Sequence, residues 1–158
     1  MIEKIISGGQ TGVDRAALDA AIELSVPIGG WCPLGRLAED GTVPNIYPLI
    51  ELRSASYPAR TRKNVEAAGA VLVLVDDESQ IEGGTFLTLR YCRMFGRPYR
   101  PTMIGRGPLP DLISVCQKWL EEEAPRVLCV AGPRESKAPG IYGRARAFLL
   151  ELLRRDRS

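Results

Sequence analysis

No histidine occurs among the 158 residues. That absence excludes Ser-His-Asp and Cys-His relays built within this chain, HExxH zinc sites, haem-binding histidine and any histidine general base. Charge of one sign is also lacking: 21 basic and 19 acidic side chains leave a net charge of +2, which gives no global case for nucleic-acid binding. No apolar run approaches the roughly 18 residues of a membrane span, so no membrane contact is expected. Cys32, Cys92, Cys116 and Cys129 are far apart and lack the CxxC spacing of zinc or redox sites. Cys92 and Cys116 fall in helix-like stretches and Cys129 in a strand-like one, so they read as small buried hydrophobes. Cys32, in Gly29-Gly30-Trp31-Cys32-Pro33, is placed to line a pocket. The start, Met1-Ile2-Glu3-Lys4-Ile5-Ile6-Ser7, has no signal-peptide shape, which predicts a mature chain beginning there, in the cytoplasm. The length predicts one domain, residues 1–158.

What is present is alternation. A β-branched run ends over Lys4 to Ser7 and stops at Gly8-Gly9. Apolar residues at Val13, Ala17, Ala20, Ala21 and Leu24 follow a helical period, with Thr11 and Asp14 spaced as a capping box and Pro27 beyond the end. A short strand is expected around Ile28 to Trp31, then a long Gly- and Pro-rich loop to Leu52; loops of that length are usually functional. Pro58 suits the first turn of a helix running to about Ala68, with Gly69 as its stop. Ala70 to Val75 is uninterrupted and apolar, as in a strand covered on both faces. Thr85–Phe95 reads as helix, Tyr99–Ile104 as a weaker strand, Leu109–Glu122 as helix, Arg126–Ala131 as a buried strand and Ile141–Arg154 as a closing helix. The pattern predicts an α/β, doubly wound, mostly parallel Rossmann-like sheet with helices on both faces.

In such sheets ligands bind where strand ends lead into helix N-termini. Three of those loops have the composition for it. In Ser7 to Arg15, Gly8, Gly9 and Gly12 allow close backbone approach, Gln10 and Thr11 add polar contacts, and Arg15 adds charge beside a helix dipole that favours phosphate. Gly83, Gly84 and Thr85 repeat the arrangement after the buried strand. Between Gly132 and Gly140, Arg134, Ser136 and Lys137 are anion-binding types. Each loop, taken alone, also reads as a tight turn or a solvated connection; together they point to a small phosphorylated molecule of nucleotide size. No GxxxxGK[ST] occurs, nor a GxGxxG with an acidic residue placed for a dinucleotide ribose. Arg62 and Asn64, near Arg60 and Lys63 after Pro58, either reach this pocket or form a solvated face. Glu39-Asp40-Gly41 either binds a ribose- or pterin-like edge or closes a turn. Asp76 and Asp77 are candidates for Mg²⁺ beside a phosphate, though strand-end aspartates are more often turn residues. Arg90, Arg93, Arg97, Arg100 and Arg106 read as a solvated or subunit-facing surface.

The stretch Ile5-Ile6-Ser7-Gly8-Gly9-Gln10-Thr11-Gly12-Val13-Asp14-Arg15-Ala16-Ala17-Leu18-Asp19 resembles the opening of the molybdenum cofactor carrier family. The match continues through Gly29 to Pro33, Gly35-Arg36, Ala38 to Gly41, Arg60-Thr61 with Asn64-Val65, Gly83-Gly84-Thr85 with Thr88, and Ala131 to Ser136. The resemblance implies a Rossmann-like fold of the wider group that includes the cytokinin-activating phosphoribohydrolases, homodimers or homotetramers, and binding of molybdenum cofactor (molybdopterin) for hand-over to a molybdoenzyme acceptor. The hydrolases of that group carry Gly-Gly-x-Gly-Thr followed by a catalytic Glu. Here the stretch runs Gly83-Gly84-Thr85-Phe86-Leu87-Thr88-Leu89-Arg90, with no carboxylate in that turn, so holding a ligand is favoured over hydrolysis. Two alternatives stand beside this: an enzyme acting on a nucleoside monophosphate through Asp14, Glu39, Asp40 or Glu135, and a nucleotide-sensing domain that signals through oligomer contacts.

Overall fold

A run of six apolar residues, Ala70 to Val75, has nothing to offer water on either face. The computed structural model, which describes residues 1–158, makes it a central strand with every residue buried. Numbered in chain order, β1 (Lys4–Ile6), β2 (Ile28–Gly29), β7 (Ala70–Val75), β8 (Tyr99–Met103) and β9 (Val127–Ala131) form one parallel sheet in the order β2-β1-β9-β7-β8. Helices α1 (Val13–Glu23), α2 (Tyr57–Ala67), α3 (Gly83–Phe95), α4 (Leu109–Glu123) and α5 (Ile141–Asp156) cover it. The doubly wound, Rossmann-like α/β fold is therefore the one its alternation predicts. No helix is long and apolar enough to cross a membrane.

Strand periodicity sorts the core into two layers. Ala70, Leu72 and Leu74 of β7, with Leu128 and Val130 of β9, pack with α1, α4 and α5 around the fully buried Phe148. Val71, Val73 and Val75, with Cys129, pack instead with Val65 of α2 and Leu89 and Cys92 of α3. Side chains of β9 thus alternate between layers, and its odd positions face the α2–α3 side.

Several boundaries differ from expectation for identifiable reasons. The strand expected over 28–31 is interrupted at Gly30, whose φ is +123°: β2 stays in the main sheet, while β3 (Trp31–Cys32) pairs with β6 (Ile50–Glu51). Thr11 and Asp14 do not form a capping box, because Gly12 is the N-cap of α1 and both side chains bond elsewhere. Helix α2 starts at Tyr57, capped by the Ser56 hydroxyl, which accepts from the Ala59 N–H at 3.3 Å. Its stop is Ala68 in extended conformation rather than a left-handed Gly69. Helix α3 begins at Gly83, two residues early, so the paired glycines are its first turn. Helices α4 and α5 run one and two residues past their expected ends.

The long segment after β2 is packed rather than loose. A short 3₁₀ turn (Leu34–Arg36), β4 (Leu37–Ala38) and β5 (Gly41–Thr42) precede β6. Cys32, Ala38, Val43, Tyr47 and Leu49 bury themselves together with Leu18 of α1 as a third cluster. Arg36, at φ +53°, directs its guanidinium to the carbonyls of Val43, Pro44, Tyr47 and Leu49 at 2.8–3.3 Å. Cys32 therefore sits in this cluster and not on the large cleft; Cys129 does line that cleft.

Candidate functional site

The carboxyl ends of β1, β9 and β7 open on the α2–α3 side into a cleft of about 560 Å³ lined by 23 residues. Only six of these are hydrophobic, so the cleft suits a ligand rich in polar edges. Of the residues singled out in sequence, Gly8, Gln10, Gly83, Gly84, Thr85, Arg134 and Lys137 line it, while Gly9, Thr11, Gly12, Arg15 and Ser136 do not.

The first loop explains most of that division. Four of its backbone donors are already used within the protein. The Gly9 N–H reaches the Ser7 hydroxyl, the Gln10 N–H reaches Asp14 Oδ2 at 3.2 Å, the Thr11 N–H reaches Gln10 Oε1 and the Val13 N–H reaches the Pro133 carbonyl. Asp14, a side chain of the helix itself, thus stands where a bound anion was expected. Gly9, at φ +73°, faces the third cluster: an added Cβ would lie 2.6 Å from Leu49 Cδ1. Gly12, at φ +78°, lies against the backbone of Arg134 and Glu135, 2.8 Å from the Glu135 N in the same construction. Arg15 donates to the Gly9 carbonyl and forks onto Asp40.

The second loop is open. Thr85 and Phe86 donate back to the Glu82 carbonyl, but the N–H groups of Gly83 and Gly84 have no acceptor in the protein, and a Cβ on either would meet nothing within 4 Å. The start of α3 therefore presents two free amides at the positive end of a 13-residue helix.

The third loop is held by Glu39. Its carboxylate accepts from the Thr11 hydroxyl, from the Ser136 hydroxyl and from the Ser136 N–H at 3.2 Å, and lies 3.4 Å from Arg134 Nε. Burial opposes ionisation of Glu39, but the bonds from Ser136 and Thr11 and the Arg134 charge hold its pKa below the usual carboxylate range. Arg134 and Lys137 are left facing the cleft. Glu135 is engaged at α5, accepting from the N–H groups of Gly140 and Tyr142.

Helix α2 supplies the floor. Tyr57, Arg60, Thr61 and Asn64 recur at helical spacing and all line the cleft; the i, i+3, i+4, i+7 pattern was the available signal. Asn64 pins β3, donating to the Trp31 carbonyl and accepting its N–H, both at 3.0 Å. Arg60 lies over the Tyr57 ring at 5.3 Å, donates through Nη1 to the Gly8 carbonyl at 3.0 Å, and sits 3.8 Å from Asp14 Oδ2. Asp14 is 8% exposed; burial pushes its carboxyl up to about 6 against the opposing pull of Arg60 and the Gln10 N–H.

The remaining candidates have other partners. Arg62 pairs with Glu66, and Lys63 lies over the Trp31 ring. Asp76 is gripped by both arms of Arg144, Asp77 caps the 3₁₀ turn Glu78–Gln80, and no group of three or more acidic or thiol side chains is assembled for a metal. In the arginine run, Arg93 bonds Tyr99, Arg97 the carbonyls of Phe95 and Glu66, and Arg106 Glu78.

The sequence profile of the circularly permutated YpsA SLOG family matches residues 5–153. No curated protein matches the chain. The fold superposes on a crystal structure of a protein from Syntrophus aciditrophicus SB named "putative molybdenum carrier protein". The TM-score is 0.91 and the identity 41%, over 96% of this chain and 94% of that one.

Proposed function

The chain belongs to the circularly permutated YpsA SLOG family, and on that premise we propose that it binds and carries a small phosphorylated ligand in the α2–α3 cleft, with molybdenum cofactor as the first candidate. The observation that carries this reading is the pairing of the two free amides at Gly83 and Gly84 with three cationic side chains, Arg60, Arg134 and Lys137, in one cleft. Charge-assisted bonds from guanidinium and backbone N–H groups are the ordinary means of holding a phosphate. The polar remainder, Gln10, Thr61, Gln80, Thr85 and Thr88, suits the edges of a pterin or a purine. The residues fit the organic part of that cargo; the one sulfur in the lining, Cys129, is held protonated by burial, so metal ligation is left to the cargo's own dithiolene.

Mass spectrometry of small molecules co-purifying with the protein tests this directly, and a molybdopterin-derived species is expected. Titration should show saturable molybdopterin binding that Arg134→Ala weakens. Tight nucleotide binding without molybdopterin binding would remove the molybdenum assignment and keep the cleft as a nucleotide site. A second reading, hydrolysis of a nucleoside monophosphate, is favoured by one observation: Asp14 is a cleft carboxyl whose pKa burial has raised to about 6, the range in which general acids and bases work. Base release from any nucleoside monophosphate would support it, and absence of turnover would discard it.

A further inference from the structure

Asp14 and Arg60 are neighbours in the cleft floor without being a closed salt bridge. At 3.8 Å, Arg60 Nη1 is beyond hydrogen-bond reach of Asp14 Oδ2, and its bond goes to the Gly8 carbonyl instead. Stacking on Tyr57 fixes the guanidinium plane, and its Nε and Nη2 donors have no acceptor in the protein. Both side chains are 11% exposed. An anion that takes the free edge of Arg60 therefore arrives beside a buried carboxylate that relies on the same cation.

We propose that an anion entering this cleft is gripped by the free edge of Arg60 and that Asp14 takes up a proton as it binds. The inference rests on the phosphate-binding reading above and adds how that site responds to pH. Competition for Arg60 is its physical basis: once the guanidinium is neutralised by a phosphate, an ionised Asp14 faces a like charge in a desolvated position. The other groups around Asp14 do not relieve this. Arg15, on the same helix, forks onto Asp40; Cys129 of β9 is held as the neutral thiol by burial; Gln10 and Gly8 offer only uncharged backbone N–H groups. The raised pKa of the unliganded carboxyl places it where one further increment crosses neutrality. A ligand carried in this way is held at mildly acidic pH and loosened as pH rises.

Sulfate is the probe of choice, because it stays fully ionised where a phosphate itself titrates. Its affinity for the whole chain should fall as pH rises from 5 to 8 at constant ionic strength, by up to about tenfold per pH unit at the steepest, the limit for one linked proton. Asp14→Asn should bind sulfate with little pH dependence and, at pH 8, more tightly than the wild type. The ¹³C shift of the Asp14 carboxyl in the wild-type protein gives a second readout independent of the variant's folding, with a midpoint that saturating sulfate moves upward. A pH-independent wild-type affinity, the same slope in Asp14→Asn, or an unmoved midpoint with sulfate bound overturns the coupling and leaves the ligand-binding reading intact. Failure of sulfate where AMP binds overturns the Arg60 grip. Failure of sulfate, AMP and molybdopterin alike overturns the underlying reading.

Discussion

Glu39 Oε1 accepts the backbone N–H of Ser136 at 3.2 Å across 97 residues of sequence. The β4–β5 turn and the loop after β9 are thereby fastened to each other, and Arg134 is held beside the same carboxylate at 3.4 Å. Replacing Glu39 by Ala should free residues 133–140 and lower anion affinity several-fold without touching a lining side chain. It should cost about 1–3 kcal/mol in stability, since Thr11 and Ser136 lose a charged acceptor. Faster amide exchange confined to that loop, together with a weaker sulfate titration, is the measurement; an unchanged titration would make the tether structurally idle.

Arg36→Ala removes a guanidinium serving four carbonyls and leaves its own left-handed backbone unsupported. A loss of roughly 2–4 kcal/mol is expected in chemical denaturation. Arg36→Lys should recover little, because one ammonium does not span the same acceptors.

Asp14→Asn should change stability in a pH-dependent way. The folded-state carboxyl titrates at about 6, above the ordinary value near 3.9 expected of an unfolded chain. The folded state therefore binds the proton more tightly. Its advantage is complete below about pH 4 and is lost as pH rises through 6. The variant has no such loss, so its melting temperature relative to the wild type should climb between pH 4 and pH 8. The span corresponds to about 3 kcal/mol. Parallel melting curves across that range would contradict burial of an ionisable Asp14.

Gly12→Ala places a Cβ against the carbonyl of Pro133 and 2.8 Å from the Glu135 N, at a φ of +78°. Backbone atoms on the other side leave no flexible end to yield, so the first and third loops must separate. Loss of about 2 kcal/mol or more is expected, with anion affinity falling alongside. Gly84→Ala, which meets nothing within 4 Å, should leave stability within about 1 kcal/mol of the wild type, since Ala is the better helix former.

The sheet was legible because its evidence is periodic: Ala70 to Val75 has no reading other than a strand covered on both sides, and apolar spacing marked α1, α4 and α5. The cleft was legible in part. Gly83-Gly84-Thr85, Arg134 and Lys137, marked by composition, line it. Gly9, Gly12 and Arg15 have the same composition for a different reason: they let loops pack against loops, and nothing local distinguishes a glycine that approaches a ligand from one that approaches Leu49. Tyr57 and Arg60 were harder because their role depends on which face α2 turns toward β9, a tertiary fact. The Asp14 carboxylate standing in its own helix's entrance is equally hidden from the sequence, since Thr11 and Asp14 carry a spacing that ordinarily means a cap.

The four cysteines are buried, one in β3, one each in α3 and α4, and one in β9. Burial raises the pKa of each thiol, to about 11 for Cys92, so a thiol reagent meets little thiolate in the native state, even at Cys129 on the cleft wall. Each sulfur is then a clock for its own surroundings. Under brief labelling, Cys32 reports the opening of the Arg36 segment, Cys92 and Cys129 the parting of the cleft layer, and Cys116 the release of α4. The order in which the molecule comes apart can thus be read from the unmodified chain, one mass increment at a time.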